Sequence, residues 1–144
     1  MRIGFANGVF DLFHEGHQHF LTQCRQHCQY LVVAVNTDDW TRRTKGPERP
    51  YDPLATRMAH VRTLAEAVIP FEGREEMLIM EIRPDVVFKG YDHSPNQTHY
   101  AARVPGWKTT THGIWSAPVI HISRLEGFST TMVADALSRH AQDR

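Results

Sequence analysis

Short apolar runs alternate along this chain with stretches whose apolar residues recur three and four positions apart. Ile3 to Ala6, Tyr30 to Val35, Val68 to Phe71, Val86 to Gly90 and Pro118 to Ile122 are the runs. Their length and β-branched content predict buried strands. Between them, Phe20, Leu21, Cys24 and Cys28 fall at helical spacing, as do Leu54, Met58, Val61, Leu64, Ala65 and Val68 behind Pro53. Pro53 suits a helix start because its missing N–H is not needed there. Met77, Leu78, Ile79 and Ile82 predict a short amphipathic helix over Glu75 to Ile82, and Met132, Ala136, Leu137 and Ala141 a closing helix capped by Ser129. Strands alternating with helices imply an α/β domain with a doubly wound parallel sheet of about five strands.

Two stretches escape the pattern. Trp40 to Tyr51 is polar and rich in breakers, so it is expected as a surface loop. It carries Arg42, Arg43, Lys45 and Arg49, either as a solvated loop or as a cationic arm able to cover phosphates. Ser94 to Ala117 shows only a helix-like piece, Gln97 to Val104, before Pro105.

Charge changes this picture little. The 144 residues hold 16 basic and 16 acidic side chains, which gives no global field for nucleic acid or membrane, and no apolar run is long enough to cross a bilayer. Without a signal peptide in the sequence, a cytoplasmic protein is expected. The two cysteines, Cys24 and Cys28, lie one helical turn apart and are expected as reduced thiols. The ten histidines, with His14, His17 and His19 close together, leave a transition-metal site as a rival reading.

The chemistry concentrates near the first strand. Asn7-Gly8 breaks it, and Asp11, His14, Gly16 and His17 lead into the first helix. A helix start has unpaired N–H groups and a positive dipole end, Gly16 permits close backbone approach, and imidazoles donate to oxygens; together these suit a phosphate. Asp38 follows the second strand, either as a cap or as a residue of the same crevice, since ligands bind at the carboxyl ends of such strands. Lys89, inside an apolar strand end, requires an anionic neighbour. Ser129, Thr130 and Thr131 form a second helix start with hydroxyls, either a plain cap or a second phosphate site.

Gly8-Val-Phe-Asp-Leu-Phe-His-Glu-Gly-His17 resembles the GxFDxxHxGH signature of the cytidylyltransferase-like nucleotidyltransferases, at every fixed position. Val35 to Asp38, Lys45-Gly46, Arg49-Pro50, Pro53, Arg57-Met58, Pro84-Asp85 and Lys89-Gly90 follow in the expected order and are most similar to the adenylyltransferase domain of ADP-heptose synthases. Arg124-x-x-Gly127 with Ser129 to Thr131 is similar also to glycerol-3-phosphate cytidylyltransferases. The resemblance implies a Rossmann-like fold and transfer of a nucleotidyl group from a nucleoside triphosphate to a phosphorylated sugar or polyol, with Mg²⁺ and release of pyrophosphate. The first expectation is ATP with D-glycero-D-manno-heptose 1-phosphate; the second is CTP with glycerol 3-phosphate. A nucleotide-sensing module that does not turn over is the non-enzyme alternative.

By the same resemblance His14, His17, Lys45 and Arg124 serve catalysis, and Gly8, Phe10, Gly16, His17, Lys89, Gly90, Asp92, Ser129, Thr130 and Thr131 hold the nucleotide. Asp11, Asp38 and Arg57 lie on the acceptor side or order the site. No protein metal ligand is expected, and a homodimer is. The segment after Asp92 is longer than in the heptose enzymes, and Tyr91 replaces a glycine there; both departures fall where base or acceptor would be read.

Overall fold

Each apolar run becomes a strand of one sheet: β1 (Ile3–Gly8), β2 (Tyr30–Asn36), β3 (Ala67–Phe71), β4 (Val86–Tyr91) and β6 (Ser116–Ser123), with a short β5 (Gly106–Lys108) at the edge. The computed structural model describes residues 1–72, 75–91, 106–108, 116–123 and 129–142. Strand order is β3-β2-β1-β4-β6-β5. The first five strands are mutually parallel, and β5 runs antiparallel to β6. The expected five-stranded parallel sheet is present, and part of the stretch without a period adds the antiparallel edge. The expected helix at 97–104 lies outside the described residues.

Five helices are described: α1 (Glu15–Arg25), α2 (Asp38–Lys45), α3 (Leu54–Arg62), α4 (Glu75–Ile82) and α5 (Thr130–Gln142). The order of strands reverses direction after β3, so right-handed crossovers put the helices before the reversal on one face and the helix after it on the other. The two core clusters record this. Leu31, Val33 and Val35 of β2 pack with Leu21 and Cys24 of α1 and with Met58 and Val61 of α3. Val32 and Ala34, at alternate positions of the same strand, pack with Ile79 of α4 on the other face. The register of β4 beside β1 is held by Asp85, whose N–H donates to the Ile3 carbonyl and whose Oδ2 accepts from the Ile3 N–H, both at 2.7 Å.

Three expectations need correction. Trp40 to Lys45 is helix α2 and not loop; the surface loop begins at Gly46. Thr37 Oγ1 caps it by accepting from the Trp40 N–H at 3.3 Å, and Thr41 is buried with its hydroxyl on the Thr37 carbonyl. Asp38 and Asp39 in the first turn and Arg42, Arg43 and Lys45 in the last match the helix dipole, which lets so polar a segment form one. Gly46, at φ +118°, ends it. Secondly, α3 stops at Arg62, and Leu64 and Ala65 reach the core from the following turn. Thirdly, Met132 and Leu137 of α5 are exposed, at 53% and 54%, while Val133 and Ala134 turn inward.

Gly4 of β1 is closely packed between β4 and the turn that follows α1. A Cβ there would stand 2.5 Å from the Phe88 ring and 2.8 Å from Cys28 Sγ. Gly4→Ala is expected to cost about 1–3 kcal/mol by overpacking. Urea denaturation of parent and variant checks this.

Candidate active site

Two backbone departures shape the loop between β1 and α1. Phe10 and Leu12 both lie in the left-handed region, at φ 54° and 48°. Such residues cost about 1–3 kcal/mol each and persist only where the surroundings hold them. Asp11 between them does the holding. Its carboxylate is buried and accepts from Leu12 N (3.1 Å), Arg49 Nε (3.0 Å), Tyr51 N (2.8 Å) and Asp52 N (2.9 Å). Its carbonyl accepts from Thr130 Oγ1 at 3.0 Å, so the start of α5 is tied to the same loop.

Arg57 continues this network. It is fully buried on α3, and its guanidinium donates to the carbonyls of Asp52, Val9 and Asn36 and to Asp38 Oδ1 at 2.6 Å. Asp11 and Arg57, both buried, therefore tie these loops together. Asp38 keeps about a third of its side chain exposed beside Arg57.

The loop enters α1 through a capping box made of imidazoles. His14 is the N-cap; its Nδ1 accepts from the Gly16 N–H at 3.0 Å, and His17 Nδ1 accepts from the His14 N–H at 3.2 Å. With Nδ1 accepting in both rings, the neutral tautomer carries its hydrogen on Nε2, the nitrogen left to donate. The rings stack with centroids 3.7 Å apart. Phe10 meets His17 edge-on and Phe13 stacks on it, each at 5.5 Å. Phe10 is thus a buried ring packed beside His17.

A cavity of about 280 Å³ opens at the carboxyl ends of β1, β4 and β6. Asn7, Gly8, Val9, His14, Gly16, His17, His19 and Phe20 line one side, and Gly90, Ile122, Ser129 and Thr130 the other. Gly90 faces open space, with nothing within 4 Å of a Cβ placed on it. Two helix N-termini, of α1 and α5, point at this space. Ser129 caps α5, its Oγ accepting from the Met132 N–H at 3.1 Å.

The structure thus gathers Gly8, His14, Gly16, His17, Gly90, Ser129 and Thr130 at one cavity, and leaves others apart. Lys89, one position from Gly90, projects to the opposite face and pairs with Glu75 of α4 at 2.5 Å. That supplies the anionic neighbour it requires. Lys45 and Thr131 are exposed and outside the cavity wall among the described residues. Arg42 pairs with Asp39, and Arg43 with Glu72. Asp92 and Arg124 lie outside the described residues.

His19 entered the sequence reading only in the histidine cluster that raised a metal site, and Phe20 only as an apolar helix position; both line the cavity, three and four positions after Gly16, the helical spacing that signals one face. No group of three or more His, Cys, Asp or Glu side chains placed to hold a metal ion occurs among the described residues. No described helix is long and apolar enough to cross a membrane.

The comparisons with known proteins agree with this geometry. Residues 5–136 match the family model described as cytidylyltransferase-like. The chain belongs to that family. It is 40% identical over 139 residues to the bifunctional protein HldE of Acidiphilium cryptum, covering 94% of this chain, and 35% identical over 148 residues to that of Sodalis glossinidius, covering 99%. It spans only 27% and 29% of those relatives' own lengths. Among solved structures, the lipopolysaccharide core biosynthesis protein of Thermoplasma volcanium matches with a TM-score of 0.69 and 25% identity, over 88% of this chain and 99% of that one.

Two predictions follow from the network and from the thiols. Asp11→Asn places an amide donor against donors and is expected to lower stability by about 3 kcal/mol or more. Chemical denaturation reads this directly. Burial pushes both thiols up, Cys24 strongly and Cys28 with a further push from the Glu66 charge. Both are free thiols. Since the thiolate is the reactive form, disulfide reagents at pH 8 should modify the native chain at least about tenfold more slowly than the urea-unfolded chain.

Proposed function

We propose that this chain is a nucleotidyltransferase domain that joins a nucleoside monophosphate to a phosphorylated sugar with release of pyrophosphate. The observation that carries the reading is the imidazole capping box at the start of α1, facing a cavity that a second capped helix also faces. In the reaction an acceptor phosphate oxygen attacks the α-phosphorus in line, the bond from that phosphorus to the bridging oxygen breaks, and pyrophosphate leaves with the electron pair. No protein nucleophile is required. Charge grows on the phosphate oxygens, and donors already aimed there stabilise the transition state without reorganising.

His14 and His17 fit this task because their Nδ1 atoms are held by backbone N–H groups and their rings are fixed by stacking. Ser129 and Thr130, at the start of α5, would bind the phosphate tail, with Gly8 and Gly16 admitting the nucleotide close to the backbone. Asp38 is the described candidate on the acceptor side. Lys45 would have to approach from the exposed end of α2, and Arg124, Asp92 and Thr131 are proposed with it on the strength of the family signature.

Mg²⁺ is the proposed cofactor. No carboxylate stands among the described residues lining the cavity, which fits a hard ion carried mainly by phosphate oxygens and water. When bound it would neutralise phosphate charge. The resemblance of Lys45-Gly46, Arg49-Pro50 and Lys89-Gly90, together with HldE relatives, supports ATP and a heptose 1-phosphate as substrates, hence an ADP-heptose product. A cytoplasmic homodimer is proposed on the same ground.

Mg²⁺-dependent pyrophosphate release, with four nucleoside triphosphates crossed against heptose 1-phosphates and glycerol 3-phosphate, tests this reading. ATP with a heptose 1-phosphate is the expected productive pair. CTP with glycerol 3-phosphate would overturn the substrate assignment, and silence with every pair would overturn the activity. His17→Ala should lower kcat by about a hundredfold or more while triphosphate affinity changes only a few-fold, as expected for a donor acting in the transition state.

A further inference from the structure

We propose that Phe13 is a positioning residue for His17, with its own ring backed by His60 of α3. The inference rests on the reading of His17 as a donor to the triphosphate, but its test includes a measurement that needs no turnover.

Four rings form a row from the start of α1 to the outside of α3. Centroids are 3.7 Å apart between His14 and His17, 5.5 Å between His17 and Phe13, and 5.6 Å between Phe13 and His60. Successive ring planes are inclined by only 23°, 25° and 30°. At such separations aromatic pairs attract beyond what burial alone provides. Phe10 meets His17 differently, edge-on at 65°.

Both ends of this row are anchored through the backbone. Leu12, at φ 48°, precedes Phe13 and donates its N–H to Asp11, while His14 follows it as the N-cap of α1. At the far end, the His60 carbonyl accepts from Thr63 N at 3.2 Å and from Thr63 Oγ1 at 2.7 Å, which closes α3. Arg57, three positions earlier and so on the same side of that helix, binds the carbonyls of Val9 and Asn36. Helix α3 is thereby fixed to the loop that it faces.

Phe13 is only half-buried, at the border of the core cluster that contains Phe10, Leu21 and Met58. A residue that merely filled this border would need apolar bulk and no flat face. Its ring contacts among the described residues are instead two imidazoles, one of them exposed on α3. The χ2 torsion of a histidine is broad, and flat neighbours narrow it. Pinning the plane of His17 keeps its Nδ1 on the His14 N–H and leaves Nε2 as the nitrogen that donates. His60 does the same for Phe13.

The test separates a flat face from apolar bulk. Phe13→Leu keeps the bulk and removes the face, and Phe13→Tyr keeps both; His60→Ala and His60→Phe make the same comparison at the exposed end. Nitrogen NMR of the histidine-labelled full chain at alkaline pH reads the His17 tautomer. The parent should show separate shifts for an unprotonated Nδ1 and a protonated Nε2. These should draw together in Phe13→Leu and partly so in His60→Ala, and stay apart in Phe13→Tyr and His60→Phe. If the chain turns over, kcat should fall about tenfold in Phe13→Leu and about threefold in His60→Ala, with the triphosphate KM within about threefold. The two ring-bearing variants should keep kcat within about twofold of the parent.

Parental His17 shifts or a parental kcat in Phe13→Leu would overturn the proposal, as would equal effects of Phe13→Leu and Phe13→Tyr. Thermal melts identify a variant that does not fold. His60 is exposed and tolerates replacement, so parental His17 shifts in His60→Ala would then overturn the proposed row of rings. The expected shifts in a chain that releases no pyrophosphate from any triphosphate would leave the positioning of His17 standing and remove the transferase reading.

Discussion

The buried Asp11 carboxylate is the interaction on which the rest of this site depends. An ionised group without water must be surrounded by donors, and here they come from its own loop and from the 49–52 segment. The two left-handed residues beside it would relax if that anchor were lost. Arg57 extends the constraint across the sheet, because the carbonyls it binds belong to Val9, Asn36 and Asp52, the ends of β1 and β2 and the segment before α3. Thr130 brings α5 to the same point through the Asp11 carbonyl. One residue thus couples pieces of chain that are distant in sequence, and the cavity is the space left between them.

The consequence for chemistry is rigidity where charge would develop. His17 is held by a backbone N–H at Nδ1, by the His14 ring on one side and by Phe10 and Phe13 around it. Fixing one nitrogen determines which one donates, so the capping box that starts the helix also sets the tautomer. The same hydrogen bonds that terminate β1 and begin α1 therefore prepare the site.

The fold was legible because a parallel sheet buried on both faces needs continuous apolar strands, and its helices need a three-and-four spacing to cover it. This side of the cavity was legible because its residues are contiguous: one strand–loop–helix segment carries Gly8, His14, Gly16 and His17. Helix α2 was missed because its stability comes from the Thr37 cap and ordered charges and not from an apolar stripe. The Glu75 partner of Lys89 was not legible, because neighbouring strand residues face opposite ways and that partner comes from another element.

By itself, then, the sequence determined the class of sheet, the place of the loop at the end of the first strand, and the family signature that the loop carries. These follow from local periodicity and from residues close together in the chain. Tertiary structure alone decided what Asp11, Arg57 and Lys89 do, since each role depends on a partner or a face supplied by another element. It likewise decided that His19 lines the cavity with Ser129 and Thr130. A charge in the sequence carries no information on whether it ends in water, in an ion pair or at a ligand; burial and the identity of its neighbours assign it, and those exist only once the chain has folded.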